Sequence, residues 1–167
     1  MAKISLFRID FRLIHGQVIT KWIKQTTANR IVVIDNALAQ DAFRMDIYRM
    51  AAPPGTPVEV YDNDGAIAAW KENEMGEGDL LILVKDVRTA VYLKENGFGV
   101  QDVQVGGLGG SPGRVVVSPA VTLDEADAEG LKKLRDLGCN VYIHVVPAEP
   151  KTDLSKALEK FESARKG

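Results

Sequence analysis

The segment Leu80-Leu-Ile-Leu-Val84 is a run of strongly apolar residues bounded by Asp79 and Lys85. It is far shorter than the roughly 20 apolar residues that a membrane-spanning helix needs. A short continuous apolar run is typical of a strand that is covered on both faces, as in a parallel sheet. The segment therefore predicts a central strand of a buried parallel sheet.

Further short strands alternate with stretches of helical periodicity along the chain. The predicted strands are residues 4–9, 30–34, 57–61, 80–84, 102–105 and 140–146, with a short edge strand at 114–117. Apolar residues at helical spacing lie between them, in one set Val18, Ile19, Trp22 and Ile23 and in another Phe43, Ile47 and Met50. The alternation predicts an α/β fold, a single domain over residues 1–167 whose predominantly parallel central sheet is covered by helices on both faces.

Polar residues mark the expected helix starts. Asp64 and Asp86 each precede a helical stretch and are expected to cap it. The segment Thr122-Leu-Asp-Glu125 has the form of a capping box. The last helix is expected to begin near Thr152 or Asp153.

The composition excludes several classes of function. The 167 residues carry a formal net charge of -2, which gives no electrostatic footprint for nucleic acid. Cys139 is the only cysteine, so an intramolecular disulfide is excluded and a small buried residue is expected. No spacing of His, Cys or carboxylate side chains matches a metal site, and no cofactor is predicted. The N-terminus enters a predicted strand without a signal-peptide core, so we expect a cytoplasmic protein.

Ligands of parallel α/β sheets usually bind beyond the carboxyl ends of the strands, where the strand order reverses. The loops at those ends are residues 10–16, 35–39, 85–86 and 106–113. We therefore expect Phe11, Asp35, Lys85 and Asp86 at the rim of a site.

The first of these loops carries the strongest chemical pattern. In Arg8-Ile-Asp10-Phe-Arg12-Leu-Ile-His15-Gly16-Gln17, His15 stands just before a helix predicted to start near Gln17. Free backbone N–H groups at a helix start favour a bound anion. Arg12 can offer a bidentate fork to phosphate oxygens, and Gly16 leaves room beside the ring. The pattern predicts a phosphoryl-accepting site, with a capping or packed histidine as the alternative.

The loop pattern leaves two alternatives open for each of two further residues, Asp10 and Arg8. Asp10 is expected to position the loop, by accepting backbone N–H bonds or by pairing with Arg12. Arg8 is expected either to bind the anion or to be a strand residue with a surface partner.

The glycine-rich segment 106–113 invites a nucleotide-binding interpretation, but its spacing fails. Pro112 stands where the third glycine of a G-x-G-x-x-G frame belongs, and Val115-Val-Val117 follows in place of a helix. A conformational role is expected for the segment, with a role facing a phosphate or a partner as the alternative. His144 is expected to be an ordinary strand residue and Trp22 a core residue.

The first loop, with Thr20-Lys-Trp22 after it, resembles the N-terminal signature of the IIB component of the mannose/fructose/sorbose-family phosphoenolpyruvate-dependent sugar phosphotransferase system. Similar blocks follow in the family order: Arg30-Ile-Val-Val-Ile-Asp35, Ala52-Pro-Pro-Gly55, Val103-Gln-Val-Gly-Gly107 and Val146-Pro147. The resemblance extends over about residues 3–158.

The resemblance implies a phosphocarrier enzyme. The family histidine that matches His15 accepts a phosphoryl group on Nδ1 from a phosphohistidine of the IIA component. It then passes the group to a sugar that enters through the membrane components IIC and IID, with which a cytoplasmic IIB associates peripherally. The resemblance also implies that Arg12 contacts the phosphoryl group and that the backbone of Gly16 and Gln17 helps to hold it. We expect Arg8, Arg12 and Lys85 to form a positive patch that steers the phosphorylated donor.

Three residues depart from the family pattern. Phe11 stands where a second Asp is usual, and Asn36 and Gln104 replace a common Asp and a common Asn. We expect these changes to affect loop geometry and sugar preference, and not His15 or Arg12. Two alternative functions stay open from the sequence: a non-catalytic α/β module that binds an anion or a nucleotide, and a degenerate family member kept for regulation.

Overall fold

Strands and helices alternate along the chain in the computed structural model, which describes residues 1–166 apart from the side chain of Gln17. Gly167, the last residue of the predicted domain, lies outside the described residues. The strands are β1 (Lys3–Asp10), β2 (Arg30–Ile34), β3 (Val58–Tyr61), β4 (Asp79–Val84), β5 (Asp102–Gly107), β6 (Val115–Ser118), β7 (Val121–Leu123), β8 (Asn140–Ile143) and β9 (Thr152–Asp153). The helices are α1 (Gly16–Gln25), α2 (Ala42–Ala51), α3 (Asn63–Asn73), α4 (Val87–Glu95), α5 (Glu125–Asp136) and α6 (Leu154–Lys166), with a 3-10 turn at Leu38–Gln40.

The central sheet has seven strands in the order β3-β2-β4-β1-β5-β8-β9. Every neighbouring pair from β3 to β8 is parallel, and only the short edge strand β9 is antiparallel. The apolar segment of β4 lies between β2 and β1, and each of its residues from Leu80 to Val84 is fully buried. The predicted parallel sheet is confirmed, with the apolar strand at its centre. A strand that is apolar along its whole length needs cover on both faces.

Helices cover both faces of the sheet. Apolar residues of α1, the 3-10 turn and α2 pack with one face of the sheet. Residues of α3, α4, α5 and α6 pack with the other face. None of the helices in the described part of the chain is long and apolar enough to cross a membrane.

Helix α2 packs on the sheet through a different side from its regular apolar stripe. Phe43, Ile47 and Met50 are 74%, 46% and 82% exposed. Met45 and Tyr48 are the α2 side chains that pack, partly buried, against the core. The spacing of the stripe predicts a helix correctly, but the apolar face that it defines is turned to solvent.

Two predicted helix starts are wrong by two residues. Asp62, and not Asp64, caps α3, because it directly follows β3 and its Oδ1 accepts from the Gly65 N–H at 2.6 Å. Asp124 caps α5 in a capping box with Asp127. Thr122, the predicted cap, lies in β7, where its hydroxyl donates to the Gly109 carbonyl at 2.7 Å.

Three short strands also differ from the prediction. The predicted edge strand at 114–117 is β6, which pairs antiparallel with β7 in a separate two-stranded sheet. Thr152–Asp153 forms β9 instead of starting the last helix, because it pairs with Tyr142 and Ile143 of β8. The predicted strand 140–146 ends at Ile143, so His144 lies just past it.

The carboxyl ends of β1 and β5 lie side by side, with Asp10 aligned with Gly107. Helix α1 continues from β1 on one face of the sheet, whereas α5 packs on the opposite face. Neighbouring strands that lead to opposite faces leave a crevice at their carboxyl ends. The loop that contains His15 borders this crevice.

We expect Asp62→Ala to lower the free energy of unfolding by about 1 kcal/mol, because it removes the N-cap of α3. Asp64→Ala is the matched control and is expected to have the smaller effect, since Asp64 lies in the first turn and accepts only an exposed bond from Tyr92. Urea unfolding measures both losses. A larger loss for Asp64→Ala would place the helix start where the sequence pattern puts it.

Candidate active site

Two buried side chains anchor the loop that follows β1. The chain turns at the end of the strand, and the Leu13 N–H donates to the Asp10 carbonyl at 2.9 Å. Leu13 has a φ of 57°, a left-handed conformation that costs a side-chain-bearing residue about 1–2 kcal/mol. Leu13 and Ile14 are buried in the core on the α1 side of the sheet. Their burial holds the strained turn and leaves Arg12 and His15 at the surface.

His15 is the N-cap residue of α1, and its side chain makes no capping hydrogen bond. The side chain is 21% exposed, so the ring is accessible without being free on the surface. Gly16 follows with a φ of 48°, and a Cβ atom there would meet nothing within 4 Å. Glycine adopts this backbone conformation without the strain that Leu13 bears, and open space lies beside the start of the helix.

The carboxylate of Asp10 lies at the centre of the loop and is fully buried. Its Oδ2 lies 3.1 Å from Nε2 of His15 and accepts from Nη2 of Arg8 at 3.1 Å. Its Oδ1 accepts from the backbone N–H of Arg12 at 3.0 Å and from Nε of Arg12 at 3.2 Å. One carboxylate thus contacts all three basic side chains of the loop signature.

Burial of Asp10 on its own would raise the pKa of its carboxyl group. That pKa is nevertheless held below its ordinary value. Three contacts outweigh burial: the backbone N–H bond from Arg12, the charge of Arg8 and the bond with His15. Asp10 is therefore ionised at neutral pH and can only accept hydrogen bonds.

Arg8 lies beneath the loop, with its side chain 1% exposed. Its Nη1 donates to Oε1 of Gln104 at 2.6 Å and to the His144 carbonyl at 3.0 Å, and its Nη2 also donates to the Val145 carbonyl at 3.1 Å. Burial lowers the pKa of the guanidinium, and the charge of Asp10 partly offsets this effect. The placement corrects the sequence prediction: Arg8 belongs to no surface patch, has no surface partner and directs these donors into the protein.

Glycines of β5 make room for the buried pair. A Cβ atom at Gly106 would lie 2.0 Å from Cζ of Arg8, and one at Gly107 would lie 2.8 Å from Oδ1 of Asp10. Real Cβ atoms do not approach other atoms so closely. Gly106 and Gly107, the first two residues of the glycine-rich segment, therefore leave the space that the side chains of Arg8 and Asp10 occupy.

The predicted rim residues separate into two groups. Asp35, Lys85 and Asp86 line a surface cavity of about 460 Å³, whose described lining includes neither His15 nor Arg12. Asp35 accepts from the Leu38 N–H at 2.9 Å, and Asp86 caps α4, so both carboxylates support local turns. Phe11 lies elsewhere, against Gly109 and beside Arg12.

Trp22, expected only as a core residue, and Gln104, expected only to affect loop geometry, are both part of the site. The Trp22 indole N–H donates to the Val145 carbonyl at 3.1 Å, and the ring centroid lies 5.6 Å from Cζ of Arg8. Gln104 is buried, although it stands between the apolar residues Val103 and Val105 of β5. A polar residue at an inward position of an apolar strand is the sequence signal that could have indicated its role.

Two further predicted residues complete the loop region. The His144 ring packs edge-on against Trp22 at 4.8 Å between centroids, and its Nε2 lies 2.7 Å from the Glu149 carbonyl. Gln17 is the second residue of α1, and its side chain lies outside the described residues. Among the residues that the structure describes, no group of three His, Cys, Asp or Glu side chains could hold a metal ion.

Comparisons with known proteins identify the family of the chain. The family model described as PTS system sorbose subfamily IIB component matches residues 4–166. The sorbose-specific EIIB component of the phosphotransferase system (PTS) of Lacticaseibacillus casei is 32% identical over 156 residues, 93% of this chain and 95% of that protein. The mannose-specific EIIAB component of Escherichia coli K12 is 33% identical over 95% of this chain and 49% of that protein, so the chain spans about half of its length.

Solved structures give the same result. A crystal structure of manxB from Thermoanaerobacter tengcongensis superposes with a TM-score of 0.91 and 36% identity, over 96% of this chain and 98% of that chain. The IIBSor domain of the sorbose permease from Klebsiella pneumoniae superposes with a TM-score of 0.85 and 31% identity, over 94% of this chain and 97% of that chain.

The fold and the histidine loop define a phosphotransferase-system IIB domain. The chain belongs to the sorbose subfamily of IIB components, as the sequence resemblance predicts. The IIB components are sugar phosphotransferases, and the alternative of a non-catalytic nucleotide-binding module is not favoured.

Replacing Asp10 by Asn is expected to lower the free energy of unfolding at pH 7 by about 3–5 kcal/mol, because the buried guanidinium of Arg8 loses its countercharge. Urea unfolding measures the loss. Asp46→Asn is the matched control, since Asp46 pairs with Arg49 at the exposed surface and contributes at most about 1 kcal/mol. Equal losses for the two variants would contradict a stability role for the buried pair.

Wild type and Asp10→Asn also differ in how the free energy of unfolding depends on pH. Folding lowers the pKa of Asp10 from an unfolded value of about 3.9, so its contribution is complete above that value and is lost as pH falls through the folded pKa. The difference in unfolding free energy between wild type and Asp10→Asn is expected to be constant near neutral pH and to shrink below about pH 4. A difference that grows at low pH would contradict a lowered pKa of Asp10 in the folded protein.

Gly106→Ala is expected to lower the free energy of unfolding by about 1–3 kcal/mol, because the new methyl group must displace the Arg8 guanidinium. Gly110→Ala is the control in the same segment, since its Cβ would lie 3.9 Å from its nearest neighbour, in Thr122. Thermal and urea unfolding of both variants measure the difference. Equal stability of the two would show that Arg8 can move without cost.

Proposed function

We propose that His15 is the residue that carries the phosphoryl group. It would accept the group from a phosphohistidine of a IIA component and give it to a sugar that enters through the membrane components IIC and IID. The observation that carries the proposal is a partly exposed imidazole at the start of a helix, whose Nε2 is bonded to a buried, ionised carboxylate.

The contact with Asp10 supports Nδ1 as the accepting nitrogen. An ionised carboxylate only accepts hydrogen bonds, so Nε2 of His15 must hold the proton and Nδ1 the lone pair. That lone pair attacks phosphorus, a new P–N bond forms, and the electron pair of the broken P–N bond returns to the donor histidine. In the second step a sugar oxygen forms the bond to phosphorus and its hydroxyl proton passes to water. The P–N bond breaks and its electron pair returns to Nδ1.

Arg12 and the start of α1 are placed to hold the transferred group. Nε of Arg12 is bonded to Asp10, while its Nη1 and Nη2 have no hydrogen-bond partner among the described residues. These two nitrogens can bind phosphoryl oxygens as a fork. The backbone N–H groups of Gly16 and Gln17 belong to the first turn of α1, where they lack helical partners, and the helix dipole adds about 0.3–1 kcal/mol for an exposed anion.

The degree of exposure suits a relay. A carrier must not trap the phosphoryl group, so donor and acceptor need similar energies. Asp10 neutralises the charge of Arg8 beneath the loop, which leaves Arg12 as the cation beside His15 in the loop. A loop at the surface can also be reached by two partners in turn, through small transient interfaces.

The relatives suggest who those partners are. The Escherichia coli mannose relative is named EIIAB, which joins an A and a B component in one protein. We propose that residues 1–167 act as one cytoplasmic IIB domain, with a IIA component as donor and peripheral association with IIC and IID. Relatives are named for sorbose, mannose, fructose and N-acetylgalactosamine, and we propose a sugar of this group as the acceptor.

A phosphoryl-label experiment tests the role of His15. Incubation with a phosphorylated mannose-family IIA component, or with phosphoramidate as a small donor, is expected to give an acid-labile, base-stable label on the wild type. The label is expected to be absent from His15→Ala, because the accepting nitrogen is gone. A label that persists on His15→Ala would overturn the assignment.

The same assay tests Arg12. Arg12→Ala is expected to slow phosphoryl transfer by more than about tenfold, because the charge-assisted bonds to the phosphoryl oxygens are lost. Arg49→Ala is the control, since Arg49 pairs with Asp46 on the exposed side of α2. Equal transfer rates for Arg12→Ala and the control would contradict a phosphoryl contact by Arg12.

A further inference from the structure

We propose that Phe11 is a positioning residue for Arg12: its ring holds the guanidinium in the orientation that receives the phosphoryl oxygens. The inference rests on the proposed function, in which Arg12 contacts the transferred group. Phe11 is the residue of the loop that the sequence resemblance marks as a departure.

The first observation is the position of the two side chains. Cζ of Arg12 lies 5.1 Å from the centroid of the Phe11 ring. A guanidinium within about 6 Å of a ring centroid is attracted by the negative face of the ring. Adjacent residues of an extended strand would point to opposite sides, and it is the turn after Asp10 that allows this contact.

The second observation is that the ring is itself fixed. The Phe11 N–H donates to the Gly107 carbonyl at 3.1 Å, so its backbone continues the pairing with β5. A Cβ atom at Gly109 would lie 3.1 Å from Cε2 of Phe11 and 3.2 Å from Cζ, so the ring packs against the backbone of that glycine. Phe11 is 40% exposed, so these two contacts fix one side of the ring and leave the rest of it accessible to Arg12 and to solvent.

The third observation is the way in which Arg12 is enclosed. Nε is bonded to Oδ1 of Asp10, and a Cβ atom at Gly107 would lie 2.9 Å from Nη2. Together with the ring of Phe11, these contacts hold the guanidinium from three directions. Arginine side chains carry large rotamer entropy, so a guanidinium ordered before binding loses less freedom when it binds an anion.

The chemistry of Phe11 suits this purpose. An aspartate at the same position could also order Arg12, but its negative charge would compete with the phosphoryl oxygens for the same donors. A phenyl ring orders the guanidinium and adds no net charge. The ring thus adds order to Arg12 beyond its contact with Asp10 and leaves the cation available.

Kinetic measurement of phosphoryl transfer tests the proposal. Phe11→Leu keeps an apolar side chain but removes the ring, and is expected to lower kcat/KM for transfer from phosphorylated IIA by about two- to fivefold. Phe11→Tyr keeps the ring and is expected to retain the wild-type rate. Phe43→Leu is the matched control, because Phe43 is exposed on α2, away from the loop.

A double-mutant cycle separates positioning from a general structural effect. In an Arg12→Ala background, Phe11→Leu is expected to cause no further loss, because the ring acts only through the guanidinium. The Nε–H proton resonance of Arg12 is also expected to shift on Phe11→Leu and not on Phe43→Leu, since a ring current is removed. This spectrum requires no donor and no activity.

The outcomes distinguish this proposal from the proposed function. If Phe11→Leu lowers transfer equally with and without Arg12, or leaves the Arg12 resonance unchanged, the positioning role is overturned while His15 can still carry the label. If His15→Ala retains the label, the proposed function fails, and the Arg12 resonance still reports whether Phe11 orders Arg12. Gly109→Ala gives a second test, because its methyl group must displace the Phe11 ring by a few tenths of an ångström. Gly109→Ala is expected to lower the rate in the wild type and to cause no further loss in Phe11→Leu, and equal losses in the two backgrounds would contradict the mechanism.

Discussion

The buried ion pair between Arg8 and Asp10 is the interaction on which the loop depends. The two residues lie two positions apart on β1, so both side chains leave the same face of the sheet. Removing two charges from water is costly, and attraction between them compensates only when their remaining donors and acceptors are satisfied. Other donors of the Arg8 guanidinium are bonded to Gln104 and to two backbone carbonyls. The carboxylate of Asp10 is also bonded to the backbone and side chain of Arg12 and to the ring of His15. The pair is therefore stable only within this arrangement of strands.

The same pair connects the stability of the fold to its chemistry. Asp10 supports Arg8 on its inner side and contacts Arg12 and His15 on its outer side. Through the carboxylate of Asp10, the positions of Arg12 and His15 depend on β1, β5 and the segment after β8. A rigid base beneath an accessible ring suits a carrier that must meet two partners without rearrangement.

Sequence patterns predicted the main elements well wherever local preference and tertiary packing agree. The apolar run of β4, the β-branched run of β2 and the Asp86 cap of α4 all lie where the sequence places them. The errors occur where packing outweighs a local pattern. Thr122 has the form of a helix cap but pairs in β7, and the stripe of Phe43, Ile47 and Met50 predicts a helix without predicting which face is buried.

The sequence by itself determined the α/β class, the order of the parallel strands and of the helices between them, and the presence of His15, Arg12 and Gly16 in one loop at a strand end. These features follow from local hydrophobic periodicity and from the order of residues in the chain. It could not place Arg8, because a charged strand residue is compatible with both surface and interior until its partners are known. Those partners are Gln104, 96 residues away, and the carbonyls of His144 and Val145, 136 and 137 residues away. Only the tertiary structure brings such distant groups together, and it alone decides that Arg8 supports the loop from below while Phe11 and Arg12 meet beside His15.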